Sequence, residues 1–317
     1  MNLIQKILRH PKGRTGAICL GLVVLAAVLA PWLTPYQLDG YDIANSLAKP
    51  SLAHPLGTDQ NGIDILTQML YGARISLVIG LSTGISVTLL GAALGIIAGF
   101  FGKFSAGLIL SLINVLLVIP TTPLMMLLRN VSSSYLMMIA VFTGLGWCGT
   151  ARMVRAQVLS MRNRNDIRAA ELAGASKFYI MFRHMMPGIS HLLIMNGALS
   201  CAGFMIAEAG LSFIGLGDPA IISWGKILVA AQENALTSNL WAWVIAPGAA
   251  ITITVLGFMN IGAALEEIFN PKIKHRTIHT PDPAELEAVF ASIREIPQTE
   301  ALSLKAQHKA SVSKGEI

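Results

Sequence analysis

The chain has 317 residues, of which 54% are hydrophobic and 13% charged, with a mean hydropathy of +0.62. Soluble domains carry about 25% charged residues, so an ordinary water-facing surface is excluded and much of the exterior must face lipid. The net charge of +6 is gathered in clusters, which sets aside nucleic acid as a partner. Cys19, Cys148 and Cys201 each sit in an apolar run without paired spacing, which supports neither a disulfide framework nor a zinc site.

In chain order, residues 1–14 are basic, with Lys6, Arg9, Lys12 and Arg14. The apolar stretch 15–33 exceeds the roughly 7–15 residues of a signal-peptide core and matches the about 20 of one membrane crossing. Ala27 and Ala30 mimic a cleavage site, but Pro31 would follow the cut, so a retained first span is expected. Residues 34–74, rich in Pro, Gly and Asp, read as a loop. Five further apolar runs lie at 75–101, 106–128, 135–151, 189–216 and 240–265, giving an all-α polytopic protein with six transmembrane helices. Basic residues fall on one side: the N-terminal cluster, Lys103, the loop 152–188, and Lys272, Lys274 and Arg276. Asp39, Asp42, Asp59, Asp64, Asp218 and Glu233 fall on the other, so both termini are expected in the cytoplasm of a plasma (inner) membrane protein. The 34–74 loop is then outer, 75–275 a five-helix core, and 276–317 a cytoplasmic tail. Within the tail, residues 282–296 carry a capping box and apolar residues at helical spacing, which predicts a short amphipathic helix.

The second span carries Gly80, Gly84, Gly91, Gly95 and Gly99, a small-residue pattern that predicts close helix packing. Gly102-Lys103 is no phosphate loop, because Phe104 stands where Ser or Thr is needed and Ile97 where the first glycine belongs. Gly210-Leu211-Ser212 with His191 loosely suggests a membrane protease. The serine and histidine would lie about 30 Å apart on one helix, beyond any nucleophile–base contact. His54, Asp59 and Asp64 invite a metal reading, but short polar side chains steadying turns at Gly57 and Gly62 answer the pattern better. Glu208 is the one acid deep in an apolar span. Such a group lines a substrate path or makes a structural hydrogen bond.

The loop 152–188 is the informative segment. Residues 166–174 read as a short helix closed by Gly174, and a second run from Lys177 ends at Pro187. Ala169, Ala170 and Ala173 offer a small face that another protein can approach; binding of lipid headgroups is the alternative. Here the chain resembles the permeases of binding-protein-dependent ATP-binding-cassette importers. Ala169-Ala170 … Gly174 … Pro187 is similar to their cytoplasmic coupling motif, with Arg168 in place of the usual Glu, His184 of Ile and Met186 of Leu. Glu171, one turn on, is the candidate replacement acid. His54-Pro55-Leu56-Gly57-Thr58-Asp59 with Gly62, Asp64, Gly72, Arg74, Ser76 and Leu77 resembles the dipeptide/oligopeptide/nickel branch. So do Ala151-Arg152-x-Val154-Arg155, Leu211–Gly217, Ser223-Trp224-Gly225, Ala264-Leu265 and Asn270-Pro271. One span before the His-Pro-Leu-Gly loop resembles the second, C-type, permease.

The resemblance implies a type I importer permease fold and a path shared with a second homologous permease. It also implies two cytoplasmic ATPase subunits that use ATP and Mg, and an extracytoplasmic solute-binding protein. The chain itself is then no enzyme and binds no cofactor or metal. Its coupling residues would be Arg168, Ala169, Ala170, Glu171, Gly174 and Pro187; His54, Gly57, Asp59, Asp64 and Arg74 would shape the outer loop. Peptides are the expected cargo, with nickel complexes or oligosaccharides as alternatives. A secondary transporter, the rival class, would show paired repeats and several intramembrane charges.

Overall fold

The computed structural model describes residues 3–129, 134–238 and 241–269. The regular elements among them are helical: α1 (Leu3–Arg9), α2 (Pro11–Leu33), a 3-10 turn (Ile43–Asn45), α3 (Ile65–Phe100), α4 (Lys103–Val118), α5 (Thr121–Arg129) and α6 (Tyr135–Arg162). Then come α7 (Asn165–Leu172), α8 (Lys177–Ile180), a π turn (Met181–Met185), α9 (Met186–Phe213), α10 (Trp224–Ser238) and α11 (Trp241–Phe269). Among the described residues five stretches are long and apolar enough to cross a membrane, or six if the bent pair α4–α5 is one span. The helix expected within 276–317 lies outside the described residues.

Helix α3 starts ten residues before the apolar run that announced it, because Asp64 caps it. The carboxylate accepts from the Thr67 amide at 2.7 Å and the Thr67 hydroxyl at 2.8 Å, satisfying donors that a bare helix start leaves open. At 36 residues it is about 54 Å long, well beyond the roughly 30 Å hydrocarbon layer. It packs on α6 and α9 through its glycines. Gly80 and Gly84 face Met205 and Cys201 of α9, while Gly91, Gly95 and Gly99 face Thr150, Val154 and Val158 of α6. The pattern therefore serves two interfaces, with side chains deleted where backbones meet. Helices α2 and α11 use the same device, since a Cβ on Gly16 would stand 2.6 Å from the Gly257 carbonyl.

Pro31 lies inside α2 and has no amide hydrogen, so the Ala27 carbonyl loses its helical donor. Arg74 of α3 supplies one: its Nε donates to Ala27 O at 2.6 Å and its Nη2 to Val28 O at 3.2 Å. The guanidinium also lies 4.9 Å from the Tyr71 ring centroid. An unanswered buried carbonyl costs about 1–3 kcal/mol. Arg74→Met should therefore cost about 2 kcal/mol of stability in wild type and distinctly less alongside Pro31→Ala, which restores the internal donor. Thermal melts of the four proteins check this; additive losses would refute the pairing.

Three elements differ from expectation. The single span expected over 106–128 is two helices bent by 75°. Ile119 is extended before Pro120 (φ −77°, ψ 114°), as a residue preceding proline must be, so the helix stops and restarts. Pro187 does not end a helix: it stands in the first turn of α9, directly after the π turn, within one continuous stretch Lys177–Phe213. The Met186 amide reaches back to Met181 O, and this wider ring makes room for proline. Helix α10 was not anticipated; at 15 residues, with polar residues interleaved, it falls below a span.

At the end where α1 starts, Glu267 of α11 closes the bundle. His10 Nε2 lies 3.0 Å from Glu267 Oε2, and Lys12 Nζ donates to Oε1 at 2.5 Å. Helices α2 and α11 are thus fastened at one end, and Arg74 fastens α2 to α3 at the other.

Candidate functional site

The segment between α6 and α9 is a hairpin of the short helices α7 and α8. Helix α7 ends in a Schellman motif: the Gly174 amide donates to Glu171 O and the Ala175 amide to Ala170 O, both at 3.0 Å. Gly174 takes φ +78°, a conformation costing a side-chain-bearing residue about 1–2 kcal/mol. The Ser176 hydroxyl then caps α8, accepting from the Tyr179 amide at 3.2 Å. One residue of α7, Ile167, is buried. Together with Ile180, Met185 and Ile189 it packs against Ile96 and Phe100 of α3 and Val154, Val158 and Met161 of α6. The hairpin's root is therefore part of the bundle core.

Its tip is not. Arg168, Ala169, Glu171 and Gly174 are exposed and Ala170 is half-buried, so the structure gathers these sequence-predicted residues on one projecting surface. Arg168 is drawn back toward the hairpin, its Nη2 donating to Asn163 Oδ1 at 3.2 Å. Pro187 stands apart at the start of α9, its carbonyl accepting from Ser190 Oγ at 2.8 Å. Sequence reasoning missed the apolar part of the tip. Leu172 is 90% exposed, and Phe178, Tyr179 and Phe182, in α8 and the π turn, are also exposed. Large apolar side chains in an otherwise basic loop were the available signal.

Glu208 is enclosed by this chain, at 1% exposure. Ser212 Oγ donates to its Oε1 at 2.8 Å and Ser76 Oγ to its Oε2 at 3.3 Å; the Ser223 hydroxyl also interacts with this carboxyl. Ser76 Oγ in turn accepts from the Trp224 amide at 3.2 Å, and Trp224 Nε1 donates to Met69 O at 3.0 Å. Three separate sequence motifs, around Ser76, Ser212 and Ser223, thus meet on one carboxyl and join α3, α9 and α10. The Leu211–Gly217 motif is itself a helix ending, with Gly215 donating to Ser212 O at 3.0 Å and Leu216 to Leu211 O at 2.9 Å. Ser212 is occupied by Glu208, and the His191 ring packs on Phe269 at 5.4 Å, so the two protease candidates face different neighbours.

In the loop before α3, Asp59 accepts from the Asn61 and Ile63 amides (2.8 and 2.9 Å) and from Gln68 Nε2 at 2.7 Å. His54 Nδ1 lies 3.1 Å from Asp64 Oδ1. These oxygens are already used by turn and helix-start donors. Gly57 and Gly62 have φ of +84° and +75°. Asn234 of α10 donates to Gln60 at 2.6 Å, bringing α10 onto this loop. On α10, Lys226 donates to the carbonyls of Pro219 and Ile221. Burial lowers its pKa, and the charge of Asp218 opposes that.

Residues 91–275, from the glycines of α3 through the hairpin to beyond α11, match the family described as binding-protein-dependent transport system inner membrane component. The chain belongs to this family of permeases. It is a multi-pass membrane transport component of importer type, not an enzyme. Residues 3–50 of the permease, which include α1 and α2, match the N-terminal transmembrane domain of oligopeptide transport permease C. A Brucella abortus protein named as a peptide transport system permease is 35% identical over 272 residues, covering 85% of this chain and 91% of the relative. The oligopeptide transport system permease protein OppC of Mycobacterium tuberculosis is 31% identical over 274 residues, covering 85% and 93%. A peptide permease protein of Brucella suis is 31% identical over 271 residues, covering 84% and 89%.

Proposed function

We propose that this chain is the C-type permease subunit of an ATP-driven peptide importer, with the α7–α8 hairpin as its coupling element. The carrying observation is a helical hairpin whose root packs into the core with α3 and α6 and whose tip exposes small residues and Leu172. A lever of this kind converts a differential contact with two states of a partner into motion of the helices it is rooted in. In this reading the partner is a cytoplasmic ATPase, two copies of which use ATP and Mg, one under this subunit and one under a second homologous permease. The path runs between the two permeases, and an extracytoplasmic binding protein delivers the solute. Both termini are then cytoplasmic, as the basic loops favour, and the chain holds no cofactor of its own.

Peptide as cargo is supported by the names of the relatives at 31–35% identity. Arg168 tied to Asn163 leaves Glu171 as the free-standing acid of the contact; both belong to the proposed surface with Ala169, Ala170 and Gly174. The decisive measurement is co-purification with the neighbouring ATPase subunits, comparing wild type and Gly174→Val. Nothing stands within 4 Å of a Cβ at Gly174, so valine acts through backbone strain alone, about 1–2 kcal/mol, and misdirects the tip. Wild type should retain the ATPase and the variant should lose it or its transport-coupled hydrolysis. A wild-type chain that retains no ATPase would sink the proposal.

A further inference from the structure

The carboxyl of Glu208 is buried, and the coupling reading makes no use of it. Among the described residues no cation pairs with it. The cations nearest to its partners in sequence are committed elsewhere. Arg74 donates to carbonyls of α2, and Lys226 to the carbonyls of Pro219 and Ile221. A buried carboxyl without a counter-ion either keeps its proton or finds another source of positive potential.

The hydrogen bonds decide between the two. A serine hydroxyl has one hydrogen to give and two positions at which to accept. Ser76 Oγ accepts from the Trp224 amide at 3.2 Å, and Ser223 Oγ accepts from the Lys226 amide at 3.4 Å. Each keeps its own hydrogen for Glu208, and Ser212 adds a third donor at 2.8 Å. A carboxylate, which only accepts, can take all three. A protonated carboxyl would bring a fourth hydrogen to a place already supplied with three.

The two amides behind the serines belong to the first turn of α10. Open N–H groups and the helix macrodipole give that end positive potential, and burial away from water leaves it little screened. The end is also seated closely, since a Cβ on Gly225 would stand 2.6 Å from the Ala209 carbonyl of α9. The carboxyl on α9 and the start of α10 thus form a charge–dipole pair relayed through two hydroxyls.

We propose that Glu208 is ionised in the folded permease with the α10 N-terminus as its counter-charge, and that this pair is the latch holding α10 on α3 and α9. Through Asn234 and Gln60, α10 in turn positions the loop before α3. The proposal is independent of the cargo and of the ATPase contact.

Glu208→Gln keeps the shape but replaces one accepting oxygen with a donor. It would match a protonated carboxyl and fail to match a carboxylate. In the full-length permease in nanodiscs, hydrogen exchange in α10 beyond its first turn should accelerate about tenfold or more in the variant. That is the scale of losing a charge-assisted hydrogen bond, and α6 should keep its protection. Unchanged exchange in α10, or an equal loss in α6, overturns the latch. Infrared spectra of wild type, with and without carbon-13 at the glutamate carboxyls, read the charge directly and serve if the variant does not fold. At neutral pH the carbonyl stretch of a protonated glutamate should be missing; a label-sensitive band of that kind overturns the proposal.

Discussion

Leucine in place of Gly84 should leave almost no folded permease to purify. A Cβ at this position would stand 2.7 Å from the Cys201 amide nitrogen and 2.8 Å from its Cα. Both are backbone atoms of α9 and cannot turn aside as a side-chain tip would. The helices must separate, and α3 is the element that also carries the α6 interface and the Ser76 contact to Glu208. Overpacking costs about 1–3 kcal/mol where side chains can adjust and more where they cannot, against a total stability of about 5–15 kcal/mol. Gly203 is the control, since nothing lies within 4 Å of a Cβ there. Leucine at Gly203 should be accepted, with a helix-propensity gain of up to about 1 kcal/mol. Yield and thermal stability of the two variants, compared side by side, test the claim. Equal yields would show that the α3–α9 distance is not set by Gly84.

The second large effect separates the hairpin's tip from its root. Leu172 is 90% exposed and Ile180 1% exposed, eight positions along. Leu172→Ala removes nothing that holds this chain together, so the permease should keep its stability to within about 0.5 kcal/mol. If Leu172 is an anchor of the ATPase contact, its loss should weaken that association by about 2 kcal/mol or more, roughly 30-fold in Kd. Ile180→Ala should reverse the pattern. It opens a cavity among Ile167, Val158 and Met185 and costs about 2–5 kcal/mol, with ATPase binding failing because the hairpin is no longer held. Titration of the ATPase against each variant, with melting temperatures in parallel, distinguishes the two. Lost stability in Leu172→Ala, or intact stability in Ile180→Ala, would contradict the division.

Where the sequence was readable, a local rule and the tertiary contact pointed the same way. The glycine spacing of α3 announced close packing because side-chain size alone governs how near two helices come in lipid. Gly174 announced the end of α7 because its left-handed backbone is a local requirement. Residues whose role depends on a distant partner were not readable. Nothing near Arg74 in sequence says that its acceptor is a carbonyl freed by Pro31, 43 positions earlier. Glu208 was an isolated acid until Ser76 and Ser223 arrived from other helices. Pro187 misled for the opposite reason: the local rule that proline ends a helix was overridden by the π turn before it. Helix α10 escaped because the search was for apolar runs, and it is a short helix with polar residues, one of which, Asn234, reaches Gln60 in the loop before α3.

The fastening of α2 sets an order on how the chain is made. Its tie to Arg74 spans 47 residues of sequence, and its tie to Glu267 spans 257. At about 5–20 residues per second of synthesis, the second partner emerges roughly 10–40 s after the first. During that interval the opening helix has a mate at one end and none at the other. Of the two ties on α2, the one to α11 is therefore the later to form, and α11 acts as its clasp.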